Sequence, residues 1–113
     1  MSPITTHVLD LALGRPAAAV PVRLETRGLD GWTLVGSGQT DDDGRIRNLL
    51  PDSTTLAAGT HYRLTFDTGA YFAGQSRESF YPEVVVTFVV RDPKHHHVPV
   101  LLSPFGYSTY RGS

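Results

Sequence analysis

Cysteine is absent from this chain of 113 residues. That excludes a disulfide framework and a thiolate nucleophile, and it fits a reducing compartment. A charge excess of either sign is also missing. Ten lysines and arginines stand against eleven aspartates and glutamates, for a formal net charge of -1, so no basic surplus marks a nucleic-acid binder. No apolar run approaches the roughly 18 residues of a membrane span. The start, "MSPITTHVLD", lacks the basic region and following apolar stretch of a secretory leader. The expectation is a cytoplasmic protein with neither nucleic acid nor membrane as partner. Several catalytic signatures are missing too. No serine sits in a Gly-x-Ser-x-Gly elbow, and no Gly-rich loop ending in lysine is present to cradle a phosphate. Carboxylates cluster only in "DDDG", which has the composition of a turn.

What the chain does have is alternation. In "VPVRLET", Val20, Val22, Leu24 and Thr26 point one way, and Pro21, Arg23, Glu25 and Arg27 the other, the pattern of a half-buried strand. "HYRLTFD" repeats it, with Tyr62, Leu64 and Phe66 inward and His61, Arg63, Thr65 and Asp67 outward. "EVVVTFVV" is β-branched and apolar on both faces, which predicts a strand covered on both sides, with a second subunit as one candidate cover. "ITTHVLD" and "WTLVGSGQ" are shorter strand candidates. "LDGW", "DDDGR" and "LLPDST" are turn signals. "SPFG" places Pro104 and Gly106 to suit a type I turn, which predicts a hairpin joining "HVPVLLS" to "YSTYR". The only helix expected is short, near "GAYFAGQSRESF". The length suits one domain over residues 1–113, and the pattern is an all-β sandwich of about seven or eight strands.

Histidine is the residue that stands out chemically. On a strand, "KHHHVPV" puts His95 and His97 on one face and His96 on the other. Imidazoles near neutral pH serve as acid, base or metal ligand. A zinc or copper site on His95 and His97 would need a third ligand, for which His7 is the available strand histidine. Taken alone, the run also reads as a solvated surface cluster. His7 faces opposite to Thr6 and Val8, which by itself predicts an outward, solvated ring. Arg45, in "DDDGRI", reads locally as an exposed charge paired with Asp41, Asp42 or Asp43.

Taken together, "THVLD", "GRPA", "DGRI", "RLTFDTGAYF", "FYPEV" and the closing "HVPVLLSPFGYSTYRGS" change that reading. From about Ile4 to Ser113 the chain resembles the 5-hydroxyisourate hydrolases of the transthyretin-like family, whose hallmark is the terminal Tyr-Arg-Gly-Ser. The resemblance implies an all-β, transthyretin-like (prealbumin-like) sandwich of two four-stranded sheets with one short helix. It implies a homotetramer, a dimer of dimers with sites in the channel between dimers. The implied substrate is the small molecule 5-hydroxyisourate of urate degradation. Its cyclic amide is hydrolysed to 2-oxo-4-hydroxy-4-carboxy-5-ureidoimidazoline without cofactor or metal.

The catalytic set carried over is His7, Arg45 and His97, with Tyr110, Arg111, Gly112 and Ser113 binding substrate. Because the chain stops at Ser113, the pocket is expected to stay open. His97 is the expected water-activating base and His7 its partner, with the two roles open to exchange. Two departures stand out: "HHHVP" where relatives often read "HYHVP", and "SPFG" for "SPYG". The competing reading is a transthyretin-type tetramer that holds a small ligand without turnover.

Overall fold

Alternating strands with short turns leave the chain one economical solution, two sheets packed face to face. The computed structural model describes residues 1–113. Its elements are β1 (Ile4–Asp10), β2 (Arg15–Pro16), β3 (Pro21–Gly28), β4 (Gly31–Gln39), β5 (Arg45–Ile46), β6 (His61–Phe66), α1 (Thr68–Ala73), β7 (Val84–Val89), β8 (His96–Ser103) and β9 (Gly106–Thr109). One sheet runs β4-β3-β6-β7 and is antiparallel throughout. The other runs β2-β1-β8-β9, with β5 also pairing with β1. The sandwich therefore exceeds two sets of four only by the two-residue piece β5. No helix is long and apolar enough to cross a membrane.

The predicted inward faces form the core. Val20, Val22 and Leu24 meet Tyr62, Leu64 and Phe66 in one cluster of 20 buried residues that also takes Ile4 and Val8 from β1 and Val98, Val100 and Leu102 from β8. The "SPFG" segment does close a hairpin, with Ser103 opposite Gly106. The structure refines two expectations. β7 is an edge strand with one face covered: Val84 is buried and Val86 and Phe88 pack on the core, but Val85 is 43 % exposed. The helix is short, as expected, at six residues. It starts at Thr68 and is capped by Asp67, predicted as an outward strand residue, whose carboxylate accepts from the Ala70 N–H at 3.0 Å.

α1 is tied to β1 by a buried carboxylate. Asp10, 1 % exposed, accepts from Tyr71 Oη at 2.7 Å, from Arg77 Nη1 at 2.7 Å and from the Leu13 N–H at 3.0 Å. Burial by itself would raise the Asp10 carboxyl. The bonds from Arg77, Tyr71 and Leu13, with the Arg77 charge, outweigh burial and hold it below its ordinary value.

The parallel pairing of β1 with β8 fixes everything that follows. Its register sets Thr5 opposite His97 and His7 opposite Pro99. Thr6 reinforces it by donating its hydroxyl to Val98 O at 2.6 Å. Since Ile4, Thr6 and Val8 are the fully buried set, Thr5 and His7 stand on the opposite, outer face of the sheet.

Candidate active site

Three segments distant in sequence meet on that outer face. β5 lies antiparallel to β1 with Arg45 opposite His7. The "DDDG" turn delivers it there. Asp41 Oδ1 accepts from the backbone N–H groups of Asp43 and Arg45, each at 2.9 Å. Gly44 has φ 75° and its carbonyl accepts from the Val8 N–H at 2.7 Å. A Cβ on Gly44 would stand 2.3 Å from Val8 O, so only glycine lets this turn seat against β1. The aspartates do not pair with the Arg45 guanidinium, contrary to its local reading. Asp41 pairs instead with Arg47, at 2.9 Å.

The C-terminal tail forms the opposite wall. Beyond β9 it returns to β8, where Gly112 bridges to His97 and donates its N–H to His97 O at 2.8 Å. The approach is close enough that a Cβ on Gly112 would lie 2.6 Å from His97 Cδ2 and 3.2 Å from Pro99 Cγ. Glycine here lets the tail lie close against the His97 ring.

Between these walls lies a cleft of about 520 Å³. His7, Arg45, His97, Tyr110, Gly112 and Ser113 all line it. Arg111 does not. Its guanidinium reaches Asp92 at 3.7 Å and lines a second, apolar cleft of about 380 Å³ beside β7. His96 turns its ring to that side as well: it is 4 % exposed, Nδ1–H donates to Lys94 O at 2.7 Å, and Nε2 has no partner. His95 and His97 share the first cleft, as the strand alternation requires.

The imidazoles are held by specific contacts. His7 Nε2 lies 2.9 Å from Asp43 O. A carbonyl only accepts, so Nε2 carries the proton and Nδ1 the lone pair. His97 Nδ1 and His95 Nε2 both lie 2.8 Å from Thr5 Oγ1. The His7 and His97 rings are 6.4 Å apart, and those of His95 and His97 6.1 Å. These rings and the neighbouring carboxylates do not converge as ligands for one ion.

Burial lowers the pKa of His97, and the charges of Arg45, His95 and His7 lower it further. For His7, burial and the Arg45 charge outweigh the opposing Asp43 hydrogen bond and the Asp41 and Asp43 charges. Both shifts favour the neutral ring at pH 7, the form that can accept a proton. The midpoint of each titration lies below the ordinary value of 6.5. Activity that depends on either base is expected to hold its plateau to lower pH than an unperturbed imidazole would allow, and to fall on the acid side of pH 6.5. A pH profile of kcat/KM checks this; an acid limb centred above 6.5 contradicts it.

Thr5 has no signature in composition or motif. Only its place two residues before His7, on the same strand face, signals that it belongs here.

The two sheets and the polar cleft on the outer face of one of them define a transthyretin-like β-sandwich. The chain belongs to the HIUase/Transthyretin family, whose model matches residues 4–112. It is 46 % identical over 111 residues to a 5-hydroxyisourate hydrolase of Salmonella dublin, covering 97 % of this chain and 80 % of that one. The solved 5-hydroxyisourate hydrolase of Klebsiella pneumoniae superposes with a TM-score of 0.86 at 40 % identity, covering 100 % of both chains. Sea bream transthyretin in complex with thyroxine superposes with a TM-score of 0.88 at 33 % identity, covering 97 % of this chain and 94 % of that one.

Proposed function

We propose that the chain hydrolyses 5-hydroxyisourate in urate degradation, opening the six-membered ring at its cyclic amide to give 2-oxo-4-hydroxy-4-carboxy-5-ureidoimidazoline. The observation that carries this is the meeting of His7, Arg45 and His97 in one cleft, with both imidazoles biased to the neutral form. Amide hydrolysis needs a base for water, stabilisation of the developing oxyanion and a proton for the leaving nitrogen. His97 takes the proton from water, and His7 orients the water and exchanges protons with the leaving nitrogen. The Arg45 guanidinium, free of a carboxylate partner, offers forked donors to the oxyanion. Tyr110, Gly112 and Ser113 hold the polar rim of the substrate. Arg111, whose side chain lies on the far side of the tail, contributes to binding through the tail's conformation.

Residues 1–113 act as one domain, a reading supported by the single core cluster that joins both sheets. The open edge of β7 and exposed Val85 support assembly into a homotetramer, a dimer of dimers. Light scattering reports on that directly, and a fully active monomer contradicts it. The deciding experiment makes fresh 5-hydroxyisourate with urate oxidase and follows its ultraviolet decay with and without this protein. Faster decay is expected. An unchanged decay with saturable ligand binding would favour a transthyretin-type carrier instead.

Deletion of Gly112 and Ser113 tests the tail. It removes no buried apolar side chain, so the melting temperature should scarcely move. It does remove the Gly112 contact with His97 and places a carboxylate on Arg111. Misplaced catalytic groups cost on the order of 10²-fold, and a loss of that size in turnover is expected. Normal turnover would mean that the tail does not hold the site.

A further inference from the structure

Thr5 carries a single hydroxyl proton and faces two imidazole nitrogens, His97 Nδ1 and His95 Nε2, both at 2.8 Å. The hydroxyl can donate to only one of them. Any other nitrogen bonded to it must arrive as an N–H donor, so the protonation of the two rings is linked through one oxygen. Thr5 itself is 3 % exposed, sealed beneath the rings, whereas His95 is exposed to solvent. The arrangement joins the half-buried His97 to the more exposed His95 in the same cleft through one buried oxygen.

The chemistry supplies a proton to carry, if the proposed hydrolysis is correct. Water adds to the carbonyl carbon and the C–N bond breaks. One proton of that water ends on the leaving nitrogen, which becomes a neutral ureido group. The other stays on the new carboxylic acid, which ionises at neutral pH. Each turnover therefore releases one net proton inside the cleft.

We propose that Thr5 and His95 form the exit for this proton and fix the tautomer of His97. In the resting site His97 Nδ1–H donates to Thr5 Oγ1, and Thr5 donates its own proton to His95 Nε2. His97 Nε2 thereby presents its lone pair to water. Once His97 holds a second proton at Nε2, its Nδ1 proton passes to Thr5 Oγ1 as the Thr5 proton passes to His95 Nε2. His97 returns to neutral with the proton on Nε2, His95 becomes the imidazolium, and the charge has moved one ring toward solvent. His95 then releases its Nδ1 proton to water, and each ring regains its resting tautomer by taking one proton from water and giving one back, which resets the chain without returning the exported proton. Thr5 is a positioning residue in this scheme, acting through His97.

The test has two arms. The first reads the tautomer without substrate. Side-chain nitrogen chemical shifts of wild-type protein should report His97 protonated at Nδ1, and Thr5→Val should abolish that preference. A wild-type His97 protonated mainly at Nε2 overturns the proposal whether or not the protein turns over 5-hydroxyisourate.

The second arm reads turnover. Removing an outer partner that orients a functional histidine typically costs 10- to 100-fold. Thr5→Val should lower kcat by about that much with KM little changed, and Thr5→Ser should restore most of it. His95→Ala should lose less and regain turnover when free imidazole is added as the external proton acceptor, which a purely structural loss would not do. Wild-type kcat in Thr5→Val, or no response of His95→Ala to imidazole, overturns the relay. Absence of turnover in the wild type is instead a failure of the proposed function. Should Thr5→Val not fold, the wild-type tautomer and the His95→Ala rescue still decide.

Discussion

Replacing His97 with alanine is expected to lower kcat/KM for 5-hydroxyisourate by about 10²–10⁴-fold, the usual contribution of a positioned acid–base group, with His7→Ala in the same range. The expectation rests on where the two rings stand. Each lines the cleft, each is biased to the neutral form by burial and by Arg45, and each is oriented through a ring nitrogen. Neither alanine variant opens a core cavity, because both side chains leave the outer face of the sheet. Melting curves should therefore stay close to wild type while the ultraviolet assay collapses. His96→Ala is the control: its ring turns away from the cleft, so turnover per folded molecule should survive. Wild-type rates in either cleft variant would remove that histidine from the mechanism. A His96→Ala variant that is folded yet as damaged as His97→Ala would overturn the assignment of faces on β8.

The second large effect is on stability. Asp10→Ala should cost about 3 kcal/mol, the lower end of the range for breaking a buried ion pair from one side. The lower end applies because Arg77 retains 19 % of its side-chain exposure and can turn to water. Tyr71 Oη, on a buried side chain, loses its acceptor and has less freedom to turn to water. Denaturant unfolding measures the loss, and a change below about 1 kcal/mol would place Asp10 among ordinary surface pairs. The pH dependence has a definite sign. The folded carboxyl titrates below the unfolded value of 3.8, so its contribution is fully present above that pH. It is lost as pH falls below 3.8 through the folded value. In Asp10→Ala that part of the acid dependence should vanish.

Alternation made the core strands legible before any coordinates. Val20, Val22 and Leu24, and Tyr62, Leu64 and Phe66, are buried as their period demands. β7 was harder, because an apolar face reports only that something covers it, and within one chain nothing covers Val85. The helix escaped the periodicity test because six residues cannot display a period; the Asp67 cap sets its start instead. In the site, local spacing placed His95 and His97 together and joined them to His7 only as a candidate third metal ligand, and it gave no reason to bring in Arg45. Only the family resemblance did that, since the joining is done by the β1–β8 and β1–β5 registers. The local expectation for Arg45 failed because turn aspartates fold back on backbone N–H groups, leaving Arg47 to take the remaining carboxylate oxygen. Thr5 was hidden for a different reason: a threonine on a strand is ordinary, and its significance arises from two rings brought in by β8.

The parallel pairing of β1 with β8 also bears on how the chain is born. β1 leaves the ribosome well before its ladder partner β8. The contacts of Thr5 with His95 and His97 span 90 and 92 positions. Until β8 emerges, β1 has an unsatisfied row of amides on the side where the sheet will be completed, a surface prone to wrong partners. Closing so long a loop comes at an entropic cost before any contact rewards it, which slows folding. The cleft therefore cannot form before β8 and the tail that follows it have emerged. Activity should appear late in refolding, in step with formation of the β1–β8 ladder rather than with the earlier, more local pairing of β3 and β4.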